Sequence, residues 1–104
     1  MISRNKVKVD AKLEAIKQRY PQIETKGIEC DFSQLSSMAE YTELVSSSGL
    51  AGLDIGVLCL NAGLWRPGTI DLFEDQNLEA LVTVNGLHVV YLLKALSKQL
   101  MERD

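Results

Sequence analysis

Asp54-Ile55-Gly56-Val57-Leu58-Cys59-Leu60-Asn61-Ala62-Gly63 is the stretch on which the fold turns. From Ile55 to Leu60 it is apolar throughout except for Gly56, with no polar alternation. A strand with one wet face alternates. A strand covered by helices on both faces does not, so residues 55–60 read as an interior strand of a parallel sheet. Asn61, Ala62 and Gly63 leave that strand at its carboxyl end, where open α/β sheets bind ligands. Ala62 and Gly63 permit close backbone approach, and the Asn61 amide can tie neighbouring loops together. An ordinary glycine-containing turn reads the same way.

The flanking sequence supplies the helices. Asn5 can cap a first helix over 5–20, and Pro21 helps to end it. Val9, Leu13, Ile16 and Tyr20 put one apolar stripe on that helix. Residues 23–30 read as a short strand with Ile28 and Cys30 inward, and Gly27 weakens it. Ser33 is placed to cap a second helix over 34–48, whose apolar face is Met38, Tyr41, Leu44 and Val45. Gly49 and Gly52 mark the turn that follows. After a loop with Trp65 and Pro67, a last helix is expected over 75–102. Leu78, Val82, Asn85, Val89, Leu92, Leu96 and Leu100 form its stripe. The order helix, strand, helix, strand predicts an α/β layered fold, taken as one domain over 1–104.

Composition narrows the partners. The 104 residues are 46% apolar and 24% charged, which argues against disorder. Eleven Lys and Arg against 14 Asp and Glu give a net charge of -3 and exclude a globally basic nucleic-acid binder. Residues 4–26 hold seven of the 11 basic side chains, while residues 27–93 hold nine acidic ones and a single basic one, Arg66. The basic helix face is either solvated or turned to an anionic surface. Cys30 and Cys59 form no CxxC and are expected as buried free thiols. No apolar run reaches the ~18–20 residues of a membrane span, and no leader pattern is present, so no transmembrane segment is expected.

Asn85 stands mid-stripe in the last helix and needs a hydrogen-bonding partner, because an unpaired buried amide costs about 1–3 kcal/mol. Gly86 loosens the same turn. The pair points to a local kink carrying a polar inner group, or to a structural hydrogen bond closing a helix irregularity. Asp31, at the end of the earlier strand, is placed to accept from a ligand amine or to join a capping turn with Ser33. Arg4 precedes the first helix, beside an N-terminus that attracts anions; a phosphate contact and a plain surface arginine are both open. His88 belongs to no Cys/His cluster, so no metal is expected and a packed or partly exposed histidine is.

Together these elements resemble the short-chain dehydrogenase/reductase family. The nearest flavour is the branch of 17-beta-hydroxysteroid dehydrogenases and very-long-chain 3-oxoacyl-CoA reductases. Ile2-Ser3-Arg4-Asn5 with its basic helix resembles the family's second strand and the helix after it. Cys30-Asp31-Phe32-Ser33 resembles the acidic position after the third strand. Leu60-Asn61-Ala62-Gly63 resembles the Asn-Asn-Ala-Gly motif, with Leu60 in place of the first Asn. Val84-Asn85 resembles the family's helix asparagine, and Leu100-Met101-Glu102-Arg103 the end of that helix. The resemblance covers essentially the whole chain.

The resemblance implies a partial Rossmann-like three-layer fold that lacks the first strand and the C-terminal half. It implies NADP as cofactor. Arg4 would face the 2′-phosphate, Asp31 the adenine amine, and Asn61, Ala62 and Gly63 the adenine-ribose side. Asn85 would hold a water in a proton relay behind the catalytic tyrosine. The implied reaction reduces a small-molecule carbonyl, a 3-oxoacyl thioester or a 17-ketosteroid, to a hydroxyl in lipid metabolism. The Gly-rich turn that holds a pyrophosphate does not occur in these residues. No Tyr has Lys four positions on: Glu24 follows Tyr20 at that spacing, Val45 follows Tyr41 and Ala95 follows Tyr91. The chain alone is therefore expected to be inactive, a middle slice from a truncated gene product or gene model. Two alternatives stand beside this. One is a non-catalytic module that joins an oligomer or a paralogous reductase through exposed sheet or helix faces. The other is an unrelated phosphate-binding α/β domain. The resemblance implies a cytoplasmic or endoplasmic-reticulum setting.

Overall fold

The computed structural model describes residues 1–103. In chain order it contains β1 (Ile2–Ser3), α1 (Lys6–Arg19), β2 (Ile28–Glu29), α2 (Met38–Ser47), α3 (Asp75–Val82) and α4 (His88–Met101). A π-helical turn, Thr83–Leu87, joins α3 to α4. The chain clusters into two compact units, Met1–Asp31 and the residues from Phe32 onward.

The first unit is a β–α–β element. Asn5 caps α1 as expected, its Oδ1 accepting from Lys8 N at 2.9 Å. The strands pair in parallel, Ile2 with Ile28 and Ser3 with Glu29, and Cys30 N extends the ladder by donating to Ser3 O at 3.1 Å. β2 is shorter than the expected 23–30. Gly27 sits just before it for a packing reason. A Cβ there would lie 2.6 Å from Val9 Cγ1 and 2.9 Å from Leu13 Cδ1, both on the inward stripe of α1. The missing side chain lets helix and strand close on each other.

In the second unit, the expected Ser33 cap is displaced. Residues Phe32–Gln34 make a 3-10 turn, and the helix starts four residues later, capped by Ser37. Glu40 decides this: its carboxylate accepts from Ser36 N, Ser37 N and Ser37 Oγ at 2.8, 2.8 and 2.9 Å, while Ser37 Oγ accepts from Glu40 N. This reciprocal arrangement satisfies donors that would otherwise be orphaned at the helix start. The backbone N–H of Ser36, then the Ser37 hydroxyl and N–H, hold the Glu40 carboxyl below the usual glutamate range.

The core of this unit is a file of rings. His88 stacks on Phe32 at 4.6 Å, Phe32 on Tyr41 at 6.1 Å, and Tyr41 meets the edge of Tyr91 at 5.7 Å. Tyr41, Val45, Leu92 and Leu96 are buried where α2 packs on α4. The buried residues of the long helix are Thr83, Val84, His88, Leu92 and Leu96. That corrects the expected stripe, since Val82 is exposed and Asn85 also faces outward. The π turn is the cause. It inserts a residue into the helical period, so the side that faces the core before the turn differs from the side that faces it afterwards.

The interior strand expected at 55–60 is not formed. Among the described residues, the sheet consists of β1 and β2, and no strand pairs with residues 55–60. Without a ladder, part of the apolar run faces water: Val57 is 80% exposed and Cys59 is an exposed free thiol rather than a buried one, while Ile55, Leu58 and Leu60 are half-buried. Cys30 is half-buried, and that burial, with the nearby Asp31 charge, pushes its thiol pKa up. The absence of a spanning segment also needs amending. Asp75–Met101 is a 27-residue helical run with a window of mean hydropathy 1.4, long and apolar enough to cross a membrane by length and composition alone. Its inner face is spent on the ring core.

Two outcomes follow from these contacts. Gly27→Ala forces a methyl into the α1 side chains and lowers unfolding stability by about 1–3 kcal/mol, read by urea titration. Glu40→Gln lowers the urea midpoint at neutral pH. Because the folded carboxyl titrates below its usual range, its contribution is present above that range and is lost as pH falls through the lowered value. The gap between wild type and Glu40→Gln therefore closes in acid.

Candidate functional site

Asn85 lies at the middle of the π turn, and both ends of its carboxamide bind one residue. Its Oδ1 accepts from Leu64 N at 2.8 Å, and its Nδ2 donates to Leu64 O at 2.7 Å. Leu64 directly follows Asn61-Ala62-Gly63. The Asn85 oxygen also lies 3.4 Å from where a Gly63 Cβ would be, so the turn and the amide are in contact. Thus the structure brings together two features that the sequence separates by 21 residues. The kink expected at Asn85-Gly86 is this π turn. π turns inside α-helices occur often at functional sites.

Chemically, the arrangement copies a strand pairing. A carboxamide presents one donor and one acceptor to a backbone N–H and C=O, as a neighbouring peptide would. Each primary amide has two donors and two acceptor lone pairs, and Leu64 takes one of each. One N–H and one lone pair of Asn85 are left on an exposed side chain. Asn61, Ala62 and Gly63 are exposed as well.

The same helix also holds the near end of the segment. Gln99 Nε2 donates to Leu50 O at 3.0 Å and to Leu53 O. Arg103 Nε pairs with Asp54 Oδ1 at 2.7 Å. Residues 53–64 are thus tethered at both ends to one helix, with Arg103 just past its end adding the Asp54 contact. Sequence reasoning did not find Gln99. His88 it placed only as packed or partly exposed, and it is 1% exposed. Its ring Nδ1 also meets Val84 O, within the π turn.

In the first unit, the parallel register sets Arg4 and Asp31 at one edge. Arg4 follows Ser3, and Asp31 follows Cys30, whose N–H is bonded to Ser3. Both residues therefore leave the carboxyl ends of adjacent parallel strands, the side on which such sheets take ligands. Arg4 is exposed and precedes the capped start of α1. Among the described residues, no group of three or more His, Cys, Asp and Glu is placed to hold a metal.

A parallel β–α–β unit, and a helix amide that ties down the turn after Asn-Ala-Gly, define part of a Rossmann-like α/β fold. A profile for the short chain dehydrogenase family matches residues 1–104, and the chain belongs to that family. It is similar to the very-long-chain 3-oxoacyl-CoA reductase of Bos taurus, 33% identical over 108 residues that cover 100% of this chain and 33% of that protein. The Podospora anserina enzyme of the same name is 29% identical over 105 residues, 99% of this chain and 30% of its own length. The very-long-chain 3-oxoacyl-CoA reductase-B of Danio rerio is 44% identical over 64 residues, 62% of this chain and 19% of that one. The chain spans about a third of the length of the first two relatives. Among solved structures, the bulky-bulky ketone specific alcohol dehydrogenase from Comamonas testosteroni superposes with a TM-score of 0.76 at 24% identity, over 95% of this chain and 38% of that one. That likeness carries the fold. The family membership sets aside the unrelated phosphate-binding domain.

Asn85→Ala removes both bonds to Leu64 and is expected to cost about 1–2 kcal/mol, with faster amide exchange at Leu64 as its local signature. Gly86→Ala does the reverse. Nothing lies within 4 Å of a Cβ there, and its φ is not in the left-handed region. The added side chain stiffens the unfolded chain and raises stability by about 0.4–1 kcal/mol, measured in the same titration.

Proposed function

We propose that these residues form the adenosine-side portion of an NADP-dependent short-chain reductase acting on a 3-oxoacyl-CoA. The single observation that carries the reading is the two-bond tie between Asn85 and Leu64, which fixes the turn after Asn61-Ala62-Gly63 against the π turn. The names of the relatives supply the substrate class. A 17-ketosteroid is the less favoured substrate.

Within each unit, the chemistry of the residues present suits the adenosine half of a dinucleotide. Arg4 offers a cation for a 2′-phosphate, at the end of β1 and beside the start of α1. Asp31 offers an acceptor to an adenine amine. Asn61, Ala62 and Gly63 present an open, narrow backbone to the ribose side. Asn85 braces that backbone and keeps one donor and one acceptor for an ordered water. NADPH would supply the hydride. Within these 104 residues no Tyr-x-x-x-Lys is present to protonate a carbonyl, so this polypeptide by itself reduces nothing.

A second reading rests on a different observation. Val57, Trp65, Ile70 and Leu72 are between 74% and 81% exposed, more apolar surface than a solvated loop needs. In that reading the chain is a non-catalytic module that joins a related reductase. Co-purification with such a reductase at fixed stoichiometry distinguishes it.

The test titrates the 104-residue chain with adenosine 2′,5′-bisphosphate and with 5′-AMP, followed by NMR. The 2′-phosphate is expected to tighten binding about tenfold or more, and Arg4→Ala to abolish the difference. Equal affinity for the two nucleotides removes the NADP assignment. NADPH oxidation with a 3-oxoacyl-CoA is expected to stay at background, and turnover by this polypeptide overturns the claim of inactivity.

A further inference from the structure

We propose that His88 is a positioning residue: its ring holds the π turn open and so keeps Asn85 aimed at Leu64. The turn creates the need. The His88 backbone N–H donates to Thr83 O, five residues back, so it is withdrawn from Val84 O, its partner in an α-helix. A buried carbonyl left in that state carries a desolvation penalty. Val84 is buried, and the His88 ring meets its oxygen from the same residue that withdrew the N–H. A carbonyl only accepts, so Nδ1 is the protonated nitrogen and donates. Phe32 stacked at 4.6 Å fixes the ring plane that makes this possible.

The alternative for this sequence is an uninterrupted α-helix. In it the His88 N–H returns to Val84 O, and the residues before the turn rotate by about 100° relative to those after it. Asn85 then no longer faces Leu64. A donor at the Val84 oxygen favours the π register over the α register. A side chain that merely fills the same volume does not. The inference rests on the proposed reading only for its consequence at a cofactor; the contacts it invokes are within this chain.

His88 is the only histidine, so its ring nitrogens give one set of signals in a 15N spectrum of the full 104-residue chain. The expected result is a proton on Nδ1. Leu64 amide exchange is then measured in two variants. Asn places an N–H close to where Nδ1 stood, and Leu fills space without a donor. Both variants lose ring stacking and unfold at lower urea. His88→Leu is expected to speed Leu64 exchange about tenfold, as loss of one buried hydrogen-bonding group does. His88→Asn is expected to restore it to within about twofold of wild type. A ring with its proton on Nε2 alone and none on Nδ1 overturns the proposal. So does equal acceleration in both variants, or none in either. Where His88→Leu does not fold, the tautomer and the His88→Asn exchange rate decide. Failure of the nucleotide titration leaves these readouts unchanged, so the two readings fail separately.

Discussion

One side-chain amide does the work of a neighbouring strand. The Asn85 carboxamide donates to Leu64 O and accepts from Leu64 N, which is the bonding a peptide group offers across a ladder. The segment before Leu64 has no strand beside it among the described residues, so this pair is what fixes the end of that segment. Leu64 is reached only because the helix carries a π turn at Asn85, and the π turn in turn leaves the Val84 carbonyl to the His88 ring. The local cost of an irregular helix is thus tied to the placement of Asn61, Ala62 and Gly63. Such a coupling of strain to a site is the usual circumstance in which an irregular turn persists.

Much of this was legible in the sequence, and the failures share a cause. Helix α1, its Asn5 cap and the Gly49 turn follow from local rules, and local rules are what a sequence states. Asn85-Gly86 in an apolar stripe correctly signalled an irregularity and a bonded amide. The stripe itself was misassigned, because periodicity assumes one register and the π turn shifts it after Val82. The Ser33 cap failed to Ser37 because both serines suit the role, and only Ser37 has Glu three positions on to reciprocate. A search for the pair, rather than the single residue, would have found it.

The strand at 55–60 failed for a different reason. Its pattern describes a strand with neighbours and covering layers, and pattern alone cannot say whether those are supplied by the same residues. The composition of the run encodes burial, yet Val57 and Cys59 are exposed. The apolar run and its environment therefore disagree. Charge is as uneven as hydropathy. The acidic excess over 27–93 and the basic excess of α1 are each unbalanced within their own stretch.

The helix can set the position of the segment even where no ladder forms. Asn85 and Gln99 are 14 residues apart, and a helix rises about 1.5 Å per residue, so the two tethers are separated by about 21 Å along the axis. A six-residue strand at about 3.3 Å per residue covers about 20 Å. The tethers thus stand as far apart as the ends of a strand of the length that the run 55–60 would make. They bind Leu50 and Leu53 at one end and Leu64 at the other, just outside that run. The eleven Cα-to-Cα steps from Leu53 to Leu64 reach as far as about 36 Å when fully extended, so the segment is slack between its tethers. The slack accommodates the irregular path it takes here. The fixed ends still deliver Asn61, Ala62 and Gly63 to the π turn. The location of the turn is therefore a property of the helix, whereas the straightness of the strand is a property of the sheet around it.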